Sequence, residues 1–214
     1  MNNKDKHDYT VDEQNKIYIL GGRGVGKTSF FHLLFSKKFK EEQPSKTGII
    51  IGNYRKGRQR FTIKELTDDE NFSKTKFLKN ELEDVILIFI LFSIDDKSSY
   101  DHAKLLIQFI KNNLINNKEL NIILVGNKYD VGENNPDAIQ VKRREVDKYI
   151  HNIEHIFYFE ISCKTNHNFS QIKELIESIE INDGGNEQYN EEISDENEKK
   201  KKKNNTNNES CLIF

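Results

Sequence analysis

Apolar residues along this chain come in short runs parted by polar segments, and strand-like and helix-like spacings alternate. Ile17-Tyr18-Ile19-Leu20 is a compact apolar run, and the spacing of Phe30, Phe31, Leu33 and Leu34 after it predicts a helix. Residues 37–46 are polar and contain Pro44, and Thr47-Gly48 then leads into Ile49-Ile50-Ile51. With Tyr54-Arg55-Lys56-Gly57-Arg58 read as a turn and Phe61-Thr62-Ile63 as the returning arm, residues 49–66 predict a β-hairpin. From Glu65 the alternation fails, and Leu66 to Lys79 is polar and ends in a predicted helix. Val85 to Phe92 is a continuous β-branched and aromatic run, the pattern of a central parallel strand buried on both faces. Ala103, Leu106, Ile107, Ile110 and Leu114 place a helix over residues 98–116. Asn121 to Val125 reads as a strand, 131–138 as a long loop, 139–151 as a helix and Ile156 to Ile161 as the last strand. Phe169, Ile172, Leu175, Ile176 and Ile179 give the final amphipathic helix. Strands alternating with helices predict an α/β domain with a parallel sheet covered on both faces, its ligand held in loops beyond the strand ends.

Composition confines that domain to residues 16–181. Residues 1–15 are almost wholly polar, and residues 182–210 contain only Tyr189 and Ile193 as large apolar residues. Both ends are expected to be disordered, because neither can offset its chain entropy by burial. A net charge of −2, with no basic stripe interleaved with aromatics in the body, points away from nucleic acid. Positive charge is concentrated instead in Lys199 to Lys203. The longest apolar run is far too short to span a bilayer, and the N-terminus lacks the apolar stretch of a secretory signal. Two cysteines, Cys163 and Cys211, cannot form a stapled framework and suit a reducing cytosol.

The glycine-rich stretch between the first run and its helix is Gly21-Gly22-Arg23-Gly24-Val25-Gly26-Lys27-Thr28, a complete G-x-x-x-x-G-K-[ST] phosphate loop, with Ser29 opening the helix behind it. Its glycines let successive backbone N–H groups converge on phosphate oxygens, and the helix adds its positive dipole end. Lys27 is expected to reach the β and γ phosphates and the Thr28 hydroxyl to ligate Mg²⁺. Two further motifs sit where strand-end loops belong. Gly126-Asn127-Lys128-Tyr129-Asp130 follows one strand, and Ser162-Cys163-Lys164 follows the last. An aspartate acceptor matches the paired donors on the guanine edge, and adenine offers no such pair in that orientation. A lone N-K-x-D is a weak, turn-like signal; about 100 residues beyond a phosphate loop and behind a buried strand it becomes strong.

Over residues 16–181 the chain resembles a small GTPase of the Ras superfamily, and it is more Rab-like than Ras-like in its Thr47-Gly48 pair before a strand. The resemblance implies a three-layer α/β fold around a mostly parallel six-stranded sheet with one antiparallel edge strand. It implies GTP or GDP as ligand and Mg²⁺ as cofactor. It makes Asn127 and Asp130 the guanine ligands, packs Lys128 over the base, and lines the pocket with the backbone of Ser162, Cys163 and Lys164. Phe39 matches the aromatic that packs on guanine, and Thr47 the first-switch threonine that ligates Mg²⁺. Implied partners are an exchange factor, effectors, a GTPase-activating protein and a prenyl-binding carrier, with the protein itself a monomer.

Two features depart from that family. The D-x-x-G-Q segment of the second switch is replaced by Leu66-Thr67-Asp68-Asp69-Glu70-Asn71-Phe72, which has neither glycine nor glutamine. Asp68 or Asp69 is expected to replace the aspartate, and Asn71 is the nearest amide. Arg23 stands where the family carries a small residue and is expected to crowd the attacking water and an activating protein's arginine finger, with its own supply of positive charge or simple exposure to solvent as the alternatives. Hydrolysis should therefore be slow, and a catalytically impaired, membrane-recruited adaptor is the competing reading. The chain ends Cys211-Leu212-Ile213-Phe214, a C-a-a-X pattern whose Phe favours geranylgeranylation of Cys211. One lipid chain anchors weakly, and the lysine run supplies the usual second signal for the cytoplasmic face of a membrane.

Overall fold

The computed structural model describes residues 15–40, 49–56, 59–66, 85–114 and 120–179, the side chains of residues 56, 59 and 114 excepted. Thr47, the second-switch residues 67–72, the lysine run and Cys211 lie outside the described residues.

Six strands form one sheet in the order β2-β3-β1-β4-β5-β6: β1 (Lys16–Gly21), β2 (Ile49–Lys56), β3 (Gln59–Leu66), β4 (Val85–Ser93), β5 (Asn121–Asn127) and β6 (Ile156–Glu160). Only β2, at one edge, runs antiparallel to its neighbour, with Ile49 opposite Leu66 and Lys56 opposite Gln59. Among the described residues the helices are α1 (Lys27–Leu34), α2 (Lys97–Leu114), α3 (Tyr129–Asn134), α4 (Arg143–Ile150) and α5 (Phe169–Ser178).

The continuous run in β4 is buried on both faces because β4 lies between β1 and β5 and layers cover both sides. Tyr18, Ile88, Ile90, Phe92, Tyr100, Ile107 and Ile122 belong to the core on the α2 side. Phe30 of α1 meets Phe89 at 5.1 Å and Phe169 of α5 at 5.3 Å on the other. Burying a large aromatic contributes about 1.5–3 kcal/mol, so the Phe30 contacts alone fix α1 firmly behind the phosphate loop.

Three expectations need correction. Tyr54, Arg55 and Lys56 belong to β2 and pair with Phe61, Arg60 and Gln59, so they are strand and not turn. Tyr54 extends the strand because its ring packs against Phe35 and Phe61. Residues 131–138 are helical over most of their length, in α3 and a 3-10 turn at Pro136–Ala138 where the Asn135 side chain accepts from the Asp137 N–H. The helix expected over 139–151 begins only at Arg143, because the Gln140 and Val141 N–H groups are drawn to the Ile94 carbonyl.

Candidate nucleotide-binding site

The phosphate loop connects β1 to α1 at the carboxyl end of the parallel strands. Gly21 and Gly26 sit at φ +138° and +98°, a region that suits glycine. A Cβ on Gly21 would strike the Leu91 carbonyl oxygen, and one on Gly26 would strike the Asn127 side-chain amide. The loop is therefore packed directly against β4 and against the N-K-x-D segment. Val25 is buried, Gly22 half-buried and Gly24 exposed. The Phe30 N–H donates to the Gly26 carbonyl at 2.9 Å, which starts α1 directly behind the loop.

Lys27 is buried, and its ammonium donates to the Gly21 carbonyl at 2.6 Å and the Gly22 carbonyl at 2.8 Å. The chain thus holds a positive charge over its own loop. Thr28 donates its hydroxyl proton to Glu65 Oε1 at 2.6 Å. Glu65 is completely buried on β3, in parallel register with Ile19. It shares a strand face with Phe61 and Ile63, so the alternation thought to fail at Glu65 continues through it and turns a carboxylate inward. The acidic group beside Thr28 is therefore Glu65, whereas Asp68 and Asp69 lie outside the described residues. Period two along Phe61, Ile63 and Glu65 is compatible with this placement, but a lone carboxylate at that point reads equally as the end of a strand.

Side-chain hydrogen bonds join the base-side loops to each other and to the phosphate loop. Asn127 donates from Nδ2 to the Val25 carbonyl at 2.8 Å and accepts on Oδ1 from the Cys163 N–H at 3.0 Å. One amide thereby ties phosphate loop, N-K-x-D and S-x-K together. Asp130 accepts the Ser162 hydroxyl at 2.6 Å, and Ser162 Oγ in turn accepts from the N–H groups of Lys164 and Thr165. A carboxylate has about four lone-pair sites, so Ser162 leaves Asp130 able to accept two more donors. Lys128 is in the left-handed conformation at φ 68°, with Nζ 3.7 Å from Asp95 Oδ1. Asp95 also accepts the Ser93 hydroxyl. Burial pushes the Cys163 thiol up to about 12, against a smaller downward effect of Asn127, so its backbone and not its sulfur faces chemistry.

The donor set fits a magnesium nucleoside phosphate. An ammonium and a helix N-terminus offer charge for phosphate oxygens, and a hydroxyl beside a carboxylate suits a hard cation. Among the described residues no group of three His, Cys, Asp or Glu is placed to hold a metal by itself. Mg²⁺ does not need one, because it keeps several waters and takes one or two protein oxygens.

Other expected site residues are less engaged. Ser29 is buried in α1, Phe39 is half-buried in the segment after it, and Lys164 is exposed. Arg23 is exposed, and no hydrogen bond or ion pair ties it to the loop among the described residues.

A glycine loop with its lysine, and two base loops at the carboxyl ends of parallel strands, define a P-loop nucleotide-binding protein. The Ras family model matches residues 16–181, and the chain belongs to the Ras family. Its relatives include the Ras-related protein Rab-32D of Dictyostelium discoideum, 28% identical over 199 residues that cover 87% of this chain and 84% of that protein. The GTP-binding protein Rhes of Homo sapiens is 26% identical over 167 residues, 73% of this chain and 61% of that one. The chain is thus a small GTPase of the Ras superfamily, Rab-like at low identity. Members of this family bind GTP or GDP, usually with Mg²⁺, and act with exchange factors, GTPase-activating proteins and effectors.

Proposed function

We propose that this protein is a membrane-anchored guanine-nucleotide switch that hydrolyses GTP slowly and serves in vesicle trafficking or signalling. The observation that carries the reading is the bonding of Asn127 to both Val25 and Cys163, which draws three nucleotide motifs into one pocket. Asp130, oriented by the Ser162 hydroxyl, accepts the paired guanine donors. Lys27 and the loop N–H groups bear the phosphate charge, and its stabilisation in the transition state is the main catalytic contribution of such a site. Bound Mg²⁺ would supply further charge neutralisation there. Thr28 and Glu65 would hold it, with the Glu65 carboxylate accepting the Thr28 hydroxyl hydrogen bond so that the hydroxyl oxygen turns a lone pair outward.

Attachment rests on the Cys211 lipid and the run Lys199 to Lys203, with one geranylgeranyl chain too weak alone. The same composition supports a cytoplasmic membrane face and recognition by a prenyl-binding carrier. An adaptor that binds nucleotide without turnover is favoured by one observation, the loss of both glycine and glutamine from Leu66 to Phe72. Chromatography of nucleotide released from the purified protein, followed by single-turnover hydrolysis, separates the readings. Co-purifying GDP supports the switch, co-purifying GTP with no turnover supports the adaptor, and equal affinity for ATP and GTP refutes guanine recognition.

A further inference from the structure

The variable residue of N-K-x-D here is Tyr129, and its ring lies flat on the imidazole of His167, with centroids 4.3 Å apart and planes 6° from parallel. The two rings come from different base loops, the first residue of α3 and the turn between β6 and α5. That turn is arranged to present His167. Asn166 and Asn168, on either side, hold left-handed φ values of 62° and 55°. Outside glycine such angles cost about 1–2 kcal/mol each, least for Asn, and persist where surrounding contacts demand them. Those contacts are present. The Asn168 side chain donates to the Glu160 carbonyl at 3.0 Å, and the His167 carbonyl accepts from the Ser162 N–H at 3.1 Å. On the other side, the Tyr129 N–H donates to the Ile161 carbonyl at 3.0 Å. Glu133 of α3 lies 3.9 Å from His167 Nδ1.

We propose that His167 is a positioning residue of the base pocket, acting through Tyr129 to clamp the loop carrying Asp130 against the Ser162–Lys164 turn. The inference rests on the guanine-binding reading above and adds a residue that touches neither base nor phosphate in that reading. Tyr129 immediately precedes Asp130, and His167 closes the turn whose Ser162 hydroxyl holds the Asp130 carboxylate at 2.6 Å. The stack therefore fixes the separation between the acceptor and its orienting donor from the outer side. Backbone hydrogen bonds set the approach of the two loops; the rings remove the remaining freedom to hinge.

Guanine and hypoxanthine diphosphates distinguish a clamp from general stability, because hypoxanthine lacks the exocyclic amine and demands less of the Asp130 geometry. Their affinities and release rates are measured for the parent, His167→Ala, Tyr129→Ala, the double variant and His167→Phe. An aromatic pair of this kind predicts about 2- to 10-fold faster GDP release in His167→Ala, with a smaller change for the hypoxanthine nucleotide. The two alanine changes should not add, and His167→Phe should restore both release rate and discrimination. Additive effects, or equal losses for both nucleotides, overturn the clamp while leaving guanine recognition standing. A parent protein that does not discriminate between the two bases overturns both readings together.

Discussion

Replacing Glu65 by glutamine keeps the shape of the side chain and removes its charge, which isolates the role of the carboxylate beside Thr28. Glu65 is completely buried and accepts the Thr28 hydroxyl at 2.6 Å, a charge-assisted hydrogen bond. Such bonds contribute about 1.5–3 kcal/mol, roughly twice their neutral counterparts, and a glutamine carbonyl can still accept from Thr28. The fold therefore loses about 1 kcal/mol, which for a domain of about 150–250 residues lowers Tm by about 2–4 °C. Mg²⁺ feels more than this. A carboxylate that orients a metal ligand commonly contributes about 10- to 100-fold to metal affinity, so half-saturation should move up by that factor. The assay is release of a fluorescent GDP analogue across a Mg²⁺ titration, with a parallel melt in chelator. Glu65→Asp, which keeps the charge, should recover most of the metal affinity. A Glu65→Gln protein with the parent's Mg²⁺ dependence would refute the assignment and return the role to Asp68 or Asp69. A large Tm loss with unchanged Mg²⁺ dependence would make Glu65 a structural residue only.

Asp130→Asn should weaken GDP and GTP and favour xanthine nucleotides, whose ring oxygen accepts from the new amide; competition binding measures the shift. Cys211→Ser should leave the protein in the soluble fraction, and neutralising Lys199 to Lys203 should weaken attachment by about 1 kcal/mol per lysine near an anionic surface; unchanged fractionation of Cys211→Ser contradicts the anchor. Intrinsic GTP hydrolysis should fall below the few times 10⁻⁴ s⁻¹ typical of an unassisted family member, by about one to a few orders of magnitude. Asn71→Gln should raise it more than Arg23→Gly, since Arg23 faces solvent; the reverse order in single-turnover assays would show that the arginine enters the loop. Because burial raises the Cys163 pKa to about 12, its thiolate fraction stays small up to pH 9. Alkylation of Cys163 should therefore require unfolding, as peptide mapping after iodoacetamide treatment at pH 7 and pH 9 would show.

The phosphate loop, N-K-x-D and S-x-K were legible as strings because each depends on local backbone geometry and on side-chain chemistry at fixed spacing. The six strands were legible for a similar reason: β4 carries eight consecutive apolar residues, and only a strand covered on both faces tolerates that. Local pattern could not decide Glu65. A lone carboxylate in an otherwise apolar register reads as the end of a strand until β3 is laid beside β1 and Glu65 is found to meet Thr28, 37 residues away in sequence. Nor could it decide Tyr129 and His167, each of which alone is an ordinary loop residue. Their function depends on being stacked, and only the folding of β5 and β6 side by side, with Gly126 paired to Glu160, brings the two loops within ring contact. Short-range spacing determined which groups the chain possesses. Which of them meet was decided by parallel strand pairing, because it joins segments far apart in sequence at a register that no local window contains.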